Sequence, residues 1–359
     1  MKKKKVYLTL QNGSVFQGYA FGAEGDVSDE LVFNTGMVGY IEALSDPCNQ
    51  GQILMQTFPL IGNYGMVYSD VESKKATVSA YVVREICDEP SNFRMEGTLE
   101  TYLKEQNVVG ICGVDTRQLT KILREEGTMN ARVSVKPLTE EEIKMLANHK
   151  QSTLDFSKVP FENSVYRDKN KKYVALWNFG AKNSTIEKLL SLGYNVMSLR
   201  GDATAEEILA SGADGIVISE GPGDPNDYAI AIAEIKKVMG KKPVLGLGLG
   251  HQLVALALGA KVEKHKYGHR GSNQPVKCVE CGKVYISTQN HGYVVVNDSV
   301  TQGFVKFVNV NDGTCEGIEY KDLQAITVQF TPDCCDIGNT ENPIYTKFIS
   351  MMEGGKKNA

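Results

Sequence analysis

The sequence has no excess of positive charge: 39 Lys and Arg stand against 43 Asp and Glu, a net of −4. That balance removes the basic field needed to hold a nucleic-acid backbone or an anionic membrane surface. No apolar run approaches the length of a membrane span. After the lysine-rich start, Met1–Lys5, only a brief apolar alternation follows, Val6 to Leu10. It is too short for a signal-peptide core, so no secretory leader is expected. The eight cysteines lack the spacing of a small disulfide scaffold, which fits reduced thiols and a cytoplasmic setting. Cys278-Val-Glu-Cys281 is a CxxC pair with no proper second half, Cys334-Cys335 being adjacent, so no metal site is expected. Internal repeats and low-complexity segments are also missing. Histidine is scarce: His149, His251, His265, His269 and His291 are all there are.

With 359 residues, the chain is long enough for two domains with separate cores. The first, 1–152, reads as β-rich, with strands at Val6–Leu10 and Val15–Ala20 around an Asn12-Gly13 turn. Helices are expected at Thr98–Glu105, Asp115–Glu126 and Thr139–Leu146. The second of these has a polar start, Leu119, Ile122 and Leu123 on one face, and Gly127 at its stop. Apolar periodicity fades and charge collects over 153–172, which reads as a linker.

From 173 to 359 strands and helices alternate: Tyr173–Trp177, Ser184–Leu192, Asn195–Leu199, Ala205–Ser211, Gly215–Ser219 and Ala229–Met239. That order implies right-handed crossovers and a mainly parallel, doubly wound sheet covered on both faces, an α/β fold. After Ala260 the chain turns β-rich to Val310, then closes with strand Ala325–Phe330 and helix Tyr345–Met352.

The most informative stretch is Pro243–Ala260. An apolar run, a glycine cluster and Leu249, Leu253 and Leu256 at helical spacing read as strand, sharp turn, helix. Such an elbow lifts one residue above a parallel sheet beside backbone N–H groups that can hold an oxyanion. The residue at this apex is Gly248, which has no side chain to attack with. A dinucleotide loop is excluded because Gly-x-Gly-x-x-Gly needs a glycine where His251 stands. The glycines also fit a purely structural role, relief of strain at a tight turn. Glu220-Gly-Pro-Gly-Asp-Pro225 follows another strand, at the edge where doubly wound sheets bind ligands, although a plain turn has the same composition. Gln289-Asn-His-Gly-Tyr293 adds His291, more often a packed histidine than a base.

In this order the segments resemble the glutaminase domain of the small subunit of carbamoyl phosphate synthetase, which is a class I glutamine amidotransferase. Phe33-Asn-Thr-Gly-Met-Val-Gly-Tyr-Ile-Glu42, Asp46-Pro47, Ser91-Asn-Phe-Arg94 and Asp115-Thr-Arg-x-Leu-Thr resemble that subunit's own N-terminal domain. The likeness runs from about Val6 to about Met352. It implies a cytoplasmic partner of a large synthetase subunit, supplying ammonia for carbamoyl phosphate in arginine and pyrimidine synthesis. It implies no cofactor in this chain; ATP and magnesium belong to the large subunit.

The resemblance also implies a cysteine at the elbow and a His-Pro-Glu segment after the last strand: nucleophile, base and orienting carboxylate. Those positions here read Gly248, Thr331 and Asp333, around Pro332. The glutamine-holding positions map onto Cys48 (serine in the family), Gly221, Gly223, Leu249, Gln252, Asn290, Gly292 and Tyr293, with Glu220 where asparagine is usual. Three functions are then open: a docking and regulatory subunit of an ammonia-using synthetase, without glutaminase chemistry of its own; a free-standing pseudo-glutaminase that senses glutamine or another small amide; or an enzyme whose nucleophile has moved to Cys334 or Cys335. Against the last, the carboxylates around those thiols oppose thiolate formation.

Overall fold

The computed structural model describes residues 4–150, 172–335 and 342–354. Of the expected linker, 153–172, all but Lys172 lies outside the described residues. The chain divides into two compact units, Met1–Thr153 with Lys266–Gly271, and Leu154–His265 with Ser272–Ala359.

The first unit is built on a closed barrel of seven strands: β1 (Lys5–Leu10), β2 (Val15–Gly22), β3 (Val27–Asn34), β4 (Gln52–Gln56), β5 (Ala80–Val82), β6 (Val109–Cys112) and β7 (Met129–Ser134). Around the barrel the order is β1-β2-β6-β5-β4-β3-β7. Strands β3, β4, β5 and β6 pair with one another in parallel, while β1 and β7 close the ring with antiparallel pairs. Alternating Val6, Leu8 and Leu10 of β1 join Leu31, Ile53 and Val133 in one buried cluster. Closure leaves no unpaired edge in this ring. The helix over Thr116–Glu126 sets Leu119 and Leu123 into the same cluster, and Asp115 lies just outside it as the cap, accepting from the Gln118 N–H. Thr98 and Thr139 cap the other two expected helices in the same way. Lys266–Gly271 joins this unit through hydrogen bonds from the Thr128 N–H to the Lys266 carbonyl and from the Thr35 N–H to the Arg270 carbonyl, 2.9 and 3.1 Å.

The second unit holds a nine-stranded sheet: β8 (Tyr173–Asn178), β9 (Asn195–Arg200), β10 (Gly215–Ile218), β11 (Val244–Leu247), β12 (Val262–Cys278), β13 (Val284–Val295), β14 (Phe304–Asn309), β15 (Cys315–Tyr320) and β16 (Ala325–Val328). Their order is β9-β8-β10-β11-β16-β15-β13-β12-β14. The first five are parallel, and β15 turns antiparallel against β16. Successive residues of β8 face opposite sides. Ala175 and Trp177 pack with the helices Ala205–Ala210, Ala229–Val238 and Leu249–Ala257, and Val174 and Leu176 pack with Asn183–Ser191 and Pro343–Met352. Helices thus cover both faces of the parallel strands, and the expected doubly wound α/β architecture is present. Among the described residues, no helix is long and apolar enough to cross a membrane.

Candidate functional site

Three neighbouring parallel strands, β10, β11 and β16, end together. Ile218 is level with Gly246, and Leu247 with Val328. The segments that follow them therefore leave from one carboxyl edge: Glu220–Gly223, Gly248–Leu249 and Thr331–Asp333. Doubly wound sheets bind their ligands at this edge.

Gly248 is the apex. It sits at φ 53° and ψ −110°, one residue before the helix Leu249–Ala257. A β-carbon there would be conformationally strained, and would lie 3.1 Å from the Glu220 β-carbon. Its N–H donates to the Val328 carbonyl, 2.9 Å, which ties the apex to β16. Leu249 opens the helix, where the helix itself offers its N–H no acceptor and the dipole favours negative charge. At the next residue, the Gly250 N–H donates to the Ser219 carbonyl at 3.0 Å, locking the helix start onto the end of β10.

Beside the apex, Glu220 is buried and its Oε1 accepts from the Thr185 hydroxyl at 2.6 Å. A β-carbon on Gly221 would come within 2.6 Å of the Phe179 carbonyl oxygen, so that turn admits no side chain. Gly223 has φ 89°, and the Tyr228 hydroxyl donates to the Pro222 carbonyl, 2.7 Å, bracing the same loop.

On the other side, the Thr331 N–H donates to the Thr288 carbonyl at 3.0 Å. Asp333 lies in a short 3-10 turn, Pro332–Cys335, with an oxygen 3.9 Å from the Lys188 ammonium. Cys335 is buried among the apolar side chains beneath the sheet, which removes it as an accessible nucleophile.

Neither His251 nor His291 is arranged as a base toward Gly248. His251 is fully buried, with Nδ1 2.8 Å from the Thr327 hydroxyl, and burial pushes its pKa down to about 3. It stays neutral at physiological pH. His291 has Nδ1 2.9 Å from the Tyr293 carbonyl and Nε2 3.0 Å from the Gln289 amide oxygen. A neutral ring donates to one of these two acceptors, and the side chain is buried, the packed role expected from its context.

Gln252 directs its amide nitrogen at protein partners, the Tyr293 carbonyl and the Gln329 side-chain oxygen, both at 2.8 Å. It ties the elbow helix to β13, which carries Asn290 and Gly292 on one face and Tyr293 beyond them. Cys48 belongs to the first unit, half-buried, its N–H donating to Asp46 Oδ1 at 2.9 Å. Thr185, Ser219 and Gln329 complete the second unit's site. Nothing in the sequence marks them, because their side chains act through partners 35, 40 and 77 residues away.

A glycine elbow at the carboxyl edge of a doubly wound sheet, faced by a second glycine loop, is the architecture of a class I glutamine amidotransferase. Residues 175–351 match the family model described as "Glutamine amidotransferase class-I". Residues 8–133 match "Carbamoyl-phosphate synthase small chain, CPSase domain". The chain belongs to the carbamoyl phosphate synthase small chain family. It is 44% identical over 350 residues to the carbamoyl phosphate synthase small chain of Clostridium perfringens, covering 96% of this chain and 99% of that one. It is 42% identical over 351 residues to the pyrimidine-specific small chain of Bacillus subtilis, covering 98% and 96%. Among solved structures, a glutamine amidotransferase of Thermotoga maritima aligns at 18% identity with a TM-score of 0.38, covering 46% of this chain and 77% of that one.

Proposed function

We propose that this chain is a small subunit that docks on a large, ATP-using synthetase subunit in the cytoplasm and regulates it, without glutaminase chemistry of its own. The carrying observation is Gly248: the residue at the apex of the elbow, at φ 53° just before the helix, bears no side chain to serve as a nucleophile. Three further features support the reading. Thr331 has no proton-accepting ring, His251 and His291 are held in their own hydrogen bonds, and Cys335 is buried. The ammonia for carbamoyl phosphate then comes from solution.

The test is an ammonia-release assay on the pure chain and on its complex with a large subunit. Loss of one key member of a protease triad lowers turnover on the order of a millionfold, so no ammonia above background is expected. Turnover near the enzymatic range, roughly 1 per second, would overturn the proposal. The complex should make carbamoyl phosphate from ammonia, bicarbonate and ATP, but not when glutamine replaces ammonia. Failure of the two chains to co-elute at micromolar concentration would point instead to a free-standing pseudo-glutaminase that senses glutamine or a similar amide.

A further inference from the structure

The hairpin that joins β12 to β13 carries Cys278 and Cys281 at its tip. The Cys278 N–H donates to the Lys283 carbonyl at 2.8 Å, and the Gly282 N–H to the Cys278 carbonyl at 2.9 Å. The tip is therefore a single closed turn spanning both cysteines. The first and fourth residues of such a turn have Cα atoms less than about 7 Å apart, and a disulfide tolerates Cα separations of about 4.4–6.8 Å. The tip is also anchored. The Val279 N–H donates to the Lys306 carbonyl, 2.9 Å, and the Lys306 ammonium lies 3.3 Å from Glu280.

The two thiols sit in opposite surroundings. Cys281 is exposed, while Cys278 is buried in the cluster that holds Val276, Tyr285 and Phe307. Their side chains are hydrogen-bonded to each other. The bond from Cys278, then the Lys283 N–H and ammonium, hold the Cys281 thiol below its usual range. Burial first, and then that same bond, push Cys278 up. An exposed, activated sulfur in contact with a buried one is the arrangement in which the first attacks and the second resolves.

We propose that Cys278 and Cys281 form a thiol–disulfide exchange site that is oxidised by low-molecular-weight disulfides, with Cys281 attacking and Cys278 resolving. The Cys281 thiolate attacks one sulfur of the small disulfide, whose S–S bond breaks and releases one thiolate. Cys278 then gives up its proton and attacks the Cys281 sulfur, which releases the second thiolate and closes the Cys278–Cys281 bond. The pair loses two electrons and two protons. The small disulfide gains both and leaves as two thiols.

The test uses the full chain with glutathione disulfide, followed by alkylation of the remaining thiols and peptide mass mapping. The wild type should yield a Cys278–Cys281 peptide lighter by two hydrogen atoms and resistant to iodoacetamide. Cys278→Ser should accumulate a stable glutathione adduct on Cys281, and Cys281→Ser should leave Cys278 unmodified. Cys281 is exposed and its serine variant should fold normally, which the melting curve checks. Absence of the internal disulfide in the wild type would overturn the proposal. So would an adduct on Cys281 in Cys278→Ser that forms no faster than adducts on the half-buried Cys48 and Cys87.

Discussion

Gly250→Ala should unfold the second unit far below the wild-type midpoint, whereas Gly259→Ala, nine residues on, should be mild. A β-carbon at Gly250 would sit 2.1 Å from the Ile218 carbonyl oxygen and 2.7 Å from its carbon. Both are backbone atoms of a central strand, so no side chain can swing aside. Relief requires the elbow helix to lift from the sheet, and Leu253, Val254 and Ala255 of that helix are fully buried. Ordinary overpacking costs about 1–3 kcal/mol. A backbone clash this close belongs with the exceptional cases, about 4 kcal/mol or more, against a total stability of roughly 5–15 kcal/mol. At Gly259, φ is 89° and no heavy atom lies within 4 Å, so only backbone strain of about 1 kcal/mol opposes the change. Trp177, the sole tryptophan, is buried in β8, so its fluorescence reports the second unit alone. Denaturant midpoints of the two variants that fell close together would mean that the elbow relaxes more cheaply than this contact allows.

The glycine cluster reads as an elbow because each glycine has a separate backbone cause: a positive φ at Gly248 and a close approach at Gly250. Helix starts were equally readable, since Thr98, Asp115 and Thr139 cap through local side-chain bonds. The alternation of strand and helix after Tyr173 placed the parallel sheet within a residue or two at most ends. Closure of the first unit into a barrel was not legible. It depends on pairing β1 with β7, strands more than a hundred residues apart, and no local period encodes that. The 17-residue strand β12 is legible only as part of a β-rich stretch, because glycines and Pro275 interrupt its pattern. The Thr185–Glu220 contact and the Gln252–Gln329 pair were hidden for the same reason: a hydrogen bond between distant segments leaves no mark on either one.

On the proposed function, glutamine hydrolysis should return only when several residues change together. Gly248→Cys alone should restore little. A free thiol ionises near pH 8.5, so without a base most of it stays protonated at neutral pH. The new side chain also meets φ 53° and the Glu220 β-carbon at 3.1 Å, a strain on the order of 1–3 kcal/mol. Thr331→His adds the base where the chain leaves β16, its backbone held by the bond to Thr288. Asp333→Glu adds reach toward that ring, although the Lys188 ammonium near Asp333 competes for the carboxylate. The oxyanion donors expected there are the Leu249 N–H at the helix start and the Gly221 N–H, which need no side chain. Nucleophile, base and orienting group act as a unit, so the triple variant should far exceed the product of the single effects. Adding Glu220→Asn should raise the rate again, because a buried carboxylate beside the thiol disfavours the thiolate. The measurement is ammonia release from glutamine by each single variant, the triple and the quadruple. If Gly248→Cys by itself recovered most of the triple variant's rate, a base other than residue 331 would already serve the elbow, and the role given to Thr331 would be wrong.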